Sequence, residues 1–153
     1  MKIVDIQNAD KFIIIPMISE NRISSDLIVH LEPNQVFVFG SNEAGRHGKG
    51  AAKLALSFGA VYGVSEGLRG HTYAIPTKDS AIRTLSLEKI KLYVDKFIEF
   101  AKKNPHLTFL VTEIGCGLSS KTPEEIAPLF IEAITLKNVY LPKRFWDVLI
   151  SKI

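Results

Sequence analysis

Val36, Phe37, Val38 and Phe39 form an unbroken apolar run, the pattern of a short strand covered on both faces. The chain then turns polar and glycine-rich from Gly40 to Gly50. An alanine-rich stretch follows, in which Ala51, Ala52, Leu54, Ala55 and Phe58 predict a helix that packs closely on a sheet and ends near Gly59. Upstream, Ile3–Ile6 and Phe12–Ile15 read as short strands around a QNAD turn. Leu27–Leu31 reads as a third, closed by Pro33 and Asn34. Residues 59–71 carry four glycines and little periodicity, which predicts a long loop with scope for a functional role.

Thr72–Ile75 predicts a strand stopped by Pro76. Leu87, Ile90, Val94, Phe97, Ile98 and Ala101 recur at helical spacing, so a helix runs from Leu87 to Lys103, capped by Ser86 and stopped at Asn104-Pro105. Thr108–Thr112 is the next buried strand. Thr122-Pro123-Glu124-Glu125 is a capping box with proline at the first helical position, and Pro128 should bend or break the helix it opens. Val139–Leu141 closes the set of strands and Phe145–Ile150 the set of helices. Alternating strands and helices predict an α/β domain: a three-layer α/β/α arrangement on a mostly parallel sheet. The N-terminal strands would add antiparallel edges and make that sheet mixed.

At 153 residues the chain suits one domain, and 46% hydrophobic content argues for a packed core. A net charge of +3 without a long basic run makes nucleic acid an unlikely partner. The single cysteine, Cys116, excludes an internal disulfide framework and fits a reducing compartment. No segment has the roughly 18–20 apolar residues a bilayer span requires, and the polar start MKIVDIQNAD argues against a signal peptide. The expectation is a cytoplasmic domain without a membrane partner. Its oligomeric state is left open.

The candidate chemistry sits in two glycine loops, both leaving strands and leading into helices. Such loops offer backbone N–H groups to a phosphate. The first holds Gly40, Ser41, Asn42, Gly45, Arg46, His47, Gly48, Lys49 and Gly50; the second holds Gly115, Cys116, Gly117, Leu118 and Ser119. GSNEAGRH has Walker A glycine spacing but Arg46-His47 in place of Lys-Ser/Thr, so the magnesium ligand is missing, which argues against an ATPase or GTPase. GKGAAK ends in Lys53 where a dinucleotide fold takes glycine or alanine. Ligands of parallel sheets bind beyond the carboxyl ends of the strands, where two such loops can grip a diphosphate from both sides.

GSNEAGRHGKGAA, YAIPTKD, and TEIGCG with IAPLF resemble the macro domain superfamily, and more closely a group of small macro-like proteins of bacteria and phages. The resemblance covers about Val36 to Leu149 and leaves residues 1–35 without assigned placement. It implies an α/β/α fold that binds ADP-ribose or a related nucleotide, free or on a macromolecule, with hydrolysis of an ADP-ribosyl linkage as a further implied activity. By position it places Asn42 at the distal ribose, Gly48–Gly50 in the first phosphate loop and Gly115–Ser119 around the diphosphate. The sequence departs from the pattern at three places. The adenine-reading aspartate has no clear equivalent, Asp5 being the candidate. Glu43 replaces a leucine, and Ser119-Ser120 replace a small residue and glycine.

For hydrolysis, Asn42 would orient the sugar, with His47, Asp79 and Glu113 as acid or base candidates for an attacking water. Lys78 stands beside Asp79 as an electrostatic partner. Cys116 lacks the glycine-flanked elbow of a nucleophile and reads as a packed small residue. His30, His71 and His106 show no metal spacing, so neither metal nor cofactor is called for. Two alternatives stand beside the enzyme reading: a non-catalytic sensor or sponge for a nucleotide signal, and nucleic-acid binding through Arg46, Lys49, Lys53 and Arg69.

Overall fold

The computed structural model describes residues 21–117 and 119–152. The strands expected at 3–6 and 12–15, Asp5 and Leu118 lie outside the described residues. In chain order the elements are β1 (Ile23–Ser24), β2 (Gln35–Asn42), α1 (Gly50–Leu56), β3 (Gly67–Arg69), β4 (Thr72–Lys78) and α2 (Leu87–Lys103). Then come β5 (Thr108–Val111), α3 (Pro123–Ile126), a 3-10 helix (Ala127–Thr135), β6 (Val139–Pro142) and α4 (Lys143–Ser151). One six-stranded sheet has the order β1-β6-β5-β2-β4-β3, parallel throughout except for β3 against β4.

Side chains of a strand alternate between faces, and here both faces are covered. Val36, Val38, Tyr73, Ile75, Phe109, Val111, Val139 and Leu141 pack against α2, the 3-10 helix and α4. Phe37, Phe39, Ala74 and Leu110 pack against Ala52 and Ala55 of α1 and against Ile28. The apolar run of β2 thus divides its residues between two cores. The result is the α/β/α sandwich the sequence predicts, with a mixed, mostly parallel sheet.

Several boundaries differ from expectation. The antiparallel edge is β3, inside the stretch read as loop, while the described N-terminal strand β1 pairs parallel with β6. In residues 27–31, read as a strand, Ile28 is buried while Leu27 and Val29 are largely exposed. They form no strand, because no neighbouring edge pairs with them. Pro76 does not stop β4. It lies opposite Ser41 where the register with β2 slips by a residue, and such an irregularity tolerates the missing donor. The Thr122 capping box forms as predicted, and at Pro128 the α-helix has already given way to a 3-10 helix.

Beside β1 the fold buries a cation. The guanidinium of Arg22 donates to the carbonyls of Ala133 (2.8 Å), Ile134 (2.7 Å) and Val139 (2.8 and 3.0 Å). It lies over the Trp146 ring at 5.2 Å, and the Trp146 indole donates to the Arg22 carbonyl at 2.8 Å. Burial pushes the Arg22 pKa down to about 10, so the group stays charged at neutral pH. Hydrogen bonds from a charged donor are worth about 1.5–3 kcal/mol each, enough together to offset the desolvation. They also tie down carbonyls at the end of the 3-10 helix, where the Ala133 carbonyl in addition accepts from the Leu136 amide. Arg22→Ala should therefore cost about 3–5 kcal/mol, read as a fall in the chemical-denaturation midpoint with an unchanged m-value. A loss below 1 kcal/mol would mean that water takes over the carbonyls.

Candidate functional site

Because β2, β4, β5 and β6 run parallel, their carboxyl ends share one edge of the sheet. α1 covers one face of the sheet and α2 with the 3-10 helix the other, so the loops leaving β2 and β5 part and open a crevice. A trough of three linked cavities follows this edge. The broad one, about 630 Å³, lies between residues 25–28, α1, the β5 end and Pro142–Arg144. The narrow middle one, about 180 Å³, is lined by Gly40, Lys49–Ala52, Thr77 and Thr112–Gly115 with Gly117 and Ser119. The outer one, about 290 Å³, is lined by Gly40–Asn42, Arg46, Gly48, Lys49, Ala52, Thr77, Lys78, Ile82 and Ser119. Gly50, Ala51, Thr112 and Glu113 belong to both the broad and the middle cavities. Gly40, Lys49, Ala52, Thr77 and Ser119 join the middle to the outer one.

The trough is electropositive at its outer end. Arg46, Lys49 and Lys78 line the outer cavity, no carboxylate does, and none of the three is ion-paired among the described residues. The middle cavity has one acid, Glu113, held by Arg144 in a two-pronged pair of 2.6 Å bonds. That hydrogen bonding keeps the Glu113 carboxyl below its usual range. The floor between the loops is a hydroxyl pair, Thr77 and Ser119, 2.7 Å apart and both buried.

Two groups of glycines separate on physical grounds. Gly45 has φ +69°, and a side chain there would collide with the Gly63 backbone at 2.4 Å, so the fold itself requires it. Gly48 and Gly117 have ordinary φ, and a Cβ on either would meet nothing within 4 Å. Both border the trough, so the space they leave is open to a ligand.

The structure redistributes the candidate residues. Gly40, Ser41, Asn42, Arg46, Gly48, Lys49, Gly50, Gly115, Gly117, Ser119 and Glu113 border the trough; Gly45, His47, Cys116 and Asp79 do not. Asn42 has its amide engaged: Nδ2 donates to the Arg46 carbonyl at 2.8 Å, and Oδ1 accepts from the Arg46 amide at 3.0 Å. It shapes the loop that presents Arg46. Ser41 likewise donates through Oγ to the Ser65 carbonyl.

His47 is 1% exposed, not a solvated base. Its Nε2 lies 3.1 Å from both the Val61 and Val64 carbonyls, which makes Nε2–H the donor, and the ring meets Phe39 edge-on. It clips the 61–64 loop to the first glycine loop. Asp79 is bound into its own turn by the Arg83 and Ala81 amides and the Arg83 side chain, which lower its pKa. Cys116 is half-buried, and burial first, with Glu113 second, pushes its thiol up to about 11, the opposite of an activated nucleophile. Glu43 turns from the trough to accept from the Tyr93 hydroxyl.

Sequence reasoning missed Thr77, Ile82, Asp26, Thr112 and Arg144. Thr77 was within reach, since the alternation Tyr73, Ile75 extends to it. Asp26 and Ile82 come from segments with no periodicity, whereas Thr112 ends the strand read at 108–112 and Arg144 lies on the exposed side of α4. Among the described residues no His, Cys, Asp and Glu cluster could hold a metal ion, and no helix is long and apolar enough to cross a membrane. No protein-family model, curated protein or solved structure matches this chain.

The Glu113–Arg144 pair sets an acid dependence whose sign is fixed. The folded carboxyl is lowered, so its stabilisation is present above the unfolded carboxylate range and is lost as pH falls through the folded value. Arg144→Met should raise the Glu113 midpoint toward the ordinary range in a carboxyl NMR titration. Neutral-pH stability should change by less than about 1 kcal/mol, because the pair is largely exposed. An unmoved midpoint would show that the pair does not persist in solution.

Proposed function

We propose that this protein is a macro-like domain whose trough binds ADP-ribose or a related ADP-ribosyl nucleotide, free or attached to a macromolecule. One observation carries the reading: a row of three cavities with shared walls, with Arg46, Lys49 and Lys78 at one end, none of them ion-paired among the described residues, and glycine backbone at its waist. A diphosphate suits the narrow waist, where Gly117 leaves its space open, with Gly48 doing the same in the adjoining outer cavity. The broad cavity has an apolar floor of Ile28, Phe37, Ala51 and Leu54, with Asp26 on its lining. That combination suits a purine, whose exocyclic amine donates to a carboxylate. The distal sugar then falls in the outer cavity.

Binding without hydrolysis is the better-supported form of this reading. Among the described residues no aspartate, glutamate or histidine lines the outer cavity. His47 and Asp79 are spent on loop structure, and Glu113 is neutralised by Arg144. A sensor or sink for a nucleotide signal needs none of these groups. A nucleic-acid surface is less well supported: Arg46 and Lys49 face the trough, whereas Arg69 sits on the far edge strand β3 and donates to the Leu68 carbonyl.

ADP-ribose at about 100 times its Kd should raise apparent stability by about 2.7 kcal/mol, which is roughly 5–10 °C in Tm for a domain of this size. Calorimetry should give a 1:1 ratio. Gly117→Glu has room in the unliganded protein, so it should fold normally while its carboxylate repels the diphosphate and abolishes binding. Undiminished affinity in the folded variant would remove the diphosphate from this loop.

A further inference from the structure

The turn that follows β4 carries a residue in a conformation it resists. Ile82 has φ +64°, and a β-branched residue in the left-handed region is a genuine outlier held only by its surroundings. Here the surroundings are explicit. Asp79 Oδ1 accepts from the amides of Ala81 and Arg83, both at 2.9 Å, and Oδ2 accepts from Arg83 Nε at 3.0 Å. The Ile82 amide donates to the Asp79 carbonyl at 3.0 Å, and the Asp79 amide to the Arg83 carbonyl at 2.8 Å. Beyond the turn, the Leu85 amide donates to the Thr77 carbonyl and the Thr84 hydroxyl to the Ser119 carbonyl. The turn is thus moored to the end of β4 and to the second glycine loop.

This arrangement keeps Ile82 on the lining of the outer cavity while leaving it 38% exposed. Among the described residues lining that cavity it is the one side chain larger than alanine without a polar atom. The same cavity is lined by the cations Arg46, Lys49 and Lys78 and the hydroxyls of Ser41, Thr77 and Ser119. A pentose has matching halves, hydroxyl edges for the polar side and a C–H face for the apolar one. We propose that Ile82 is a specificity-determining clamp for the sugar beyond the diphosphate, and that Asp79 is the positioning residue that holds the clamp over the cavity. The inference rests on the nucleotide-binding reading above and adds to it which part of the ligand the β4–α2 turn recognises.

The experiment compares ADP-ribose with ADP by calorimetry on four variants. Ile82→Asn tolerates the left-handed backbone and removes the apolar face. It should weaken ADP-ribose roughly 10-fold, the scale of one lost apolar contact, and leave ADP within about twofold. Ile82→Leu should restore ADP-ribose affinity. Asp79→Ala should reproduce the selective loss, and Asp79→Asn, whose Oδ1 still accepts from both amides, should not. ADP-ribose affinity within twofold of wild type in Ile82→Asn overturns the clamp, as do equal losses for both nucleotides, which would make the turn merely structural. A wild-type protein that binds neither nucleotide overturns the functional reading and the clamp with it, so the two failures are distinguishable.

Discussion

Everything at the functional edge depends on β2 being buried on both faces. Phe37 and Phe39 serve one core and Val36 and Val38 the other, all at most 2% exposed. Such a strand has no solvated face on which to carry chemistry, so the polar residues gather where it ends. Its neighbours β4 and β5 run parallel to it and are subject to the same constraint. The polar residues at their carboxyl ends are Ser41 and Asn42, Thr77 and Lys78, and Thr112 and Glu113, which are the residues that meet in the trough. The site is a consequence of the sheet's burial.

Elements that owe their form to local pattern were legible in the sequence, and those that owe it to a partner were not. The helix from Leu87 to Lys103 shows its period, its Ser86 cap and its stop signal, and the structure reproduces the bounds. The two-residue β1 and three-residue β3 are strands only because β6 and β4 lie beside them. Residues 27–31 show the converse, a strand-like apolar run with no edge to join among the described residues. Pro76 was read by its missing donor, yet the slip opposite Ser41 makes that donor unnecessary.

The candidate site divides in the same way. Gly48 and Gly117 were singled out as glycines, and nothing in the sequence distinguishes them from Gly45, which the fold needs for φ and clearance. His47, Asp79 and Asn42 were singled out as chemistry-bearing side chains. Their actual partners are backbone groups of Val61 and Val64, of Ala81 and Arg83, and of Arg46. A hydrogen bond to backbone is invisible in sequence because every residue offers one. Polar side chains in these loops therefore fix loop shape, and the shaped loops present cations and bare backbone to the trough.

That division of labour bears on the electrostatics of the trough. Three cations around one cavity, with no ion pair among the described residues, repel one another, but in water the repulsion of two charges at 4 Å is about 1 kcal/mol, less at larger separation and with salt. The fold tolerates this against stabilising terms such as the Arg22 hydrogen bonds and two apolar cores. Were a diphosphate to bind as proposed and displace water, the effective dielectric would fall and its attraction to those cations would grow severalfold at the same distances. A carboxylate among the lining residues would remove the small repulsion and most of that gain together. Among the described residues the outer cavity holds none, so its charge stays available to an anion, and the hydrogen bonds of Asn42 and Asp79 fix the turns beside it.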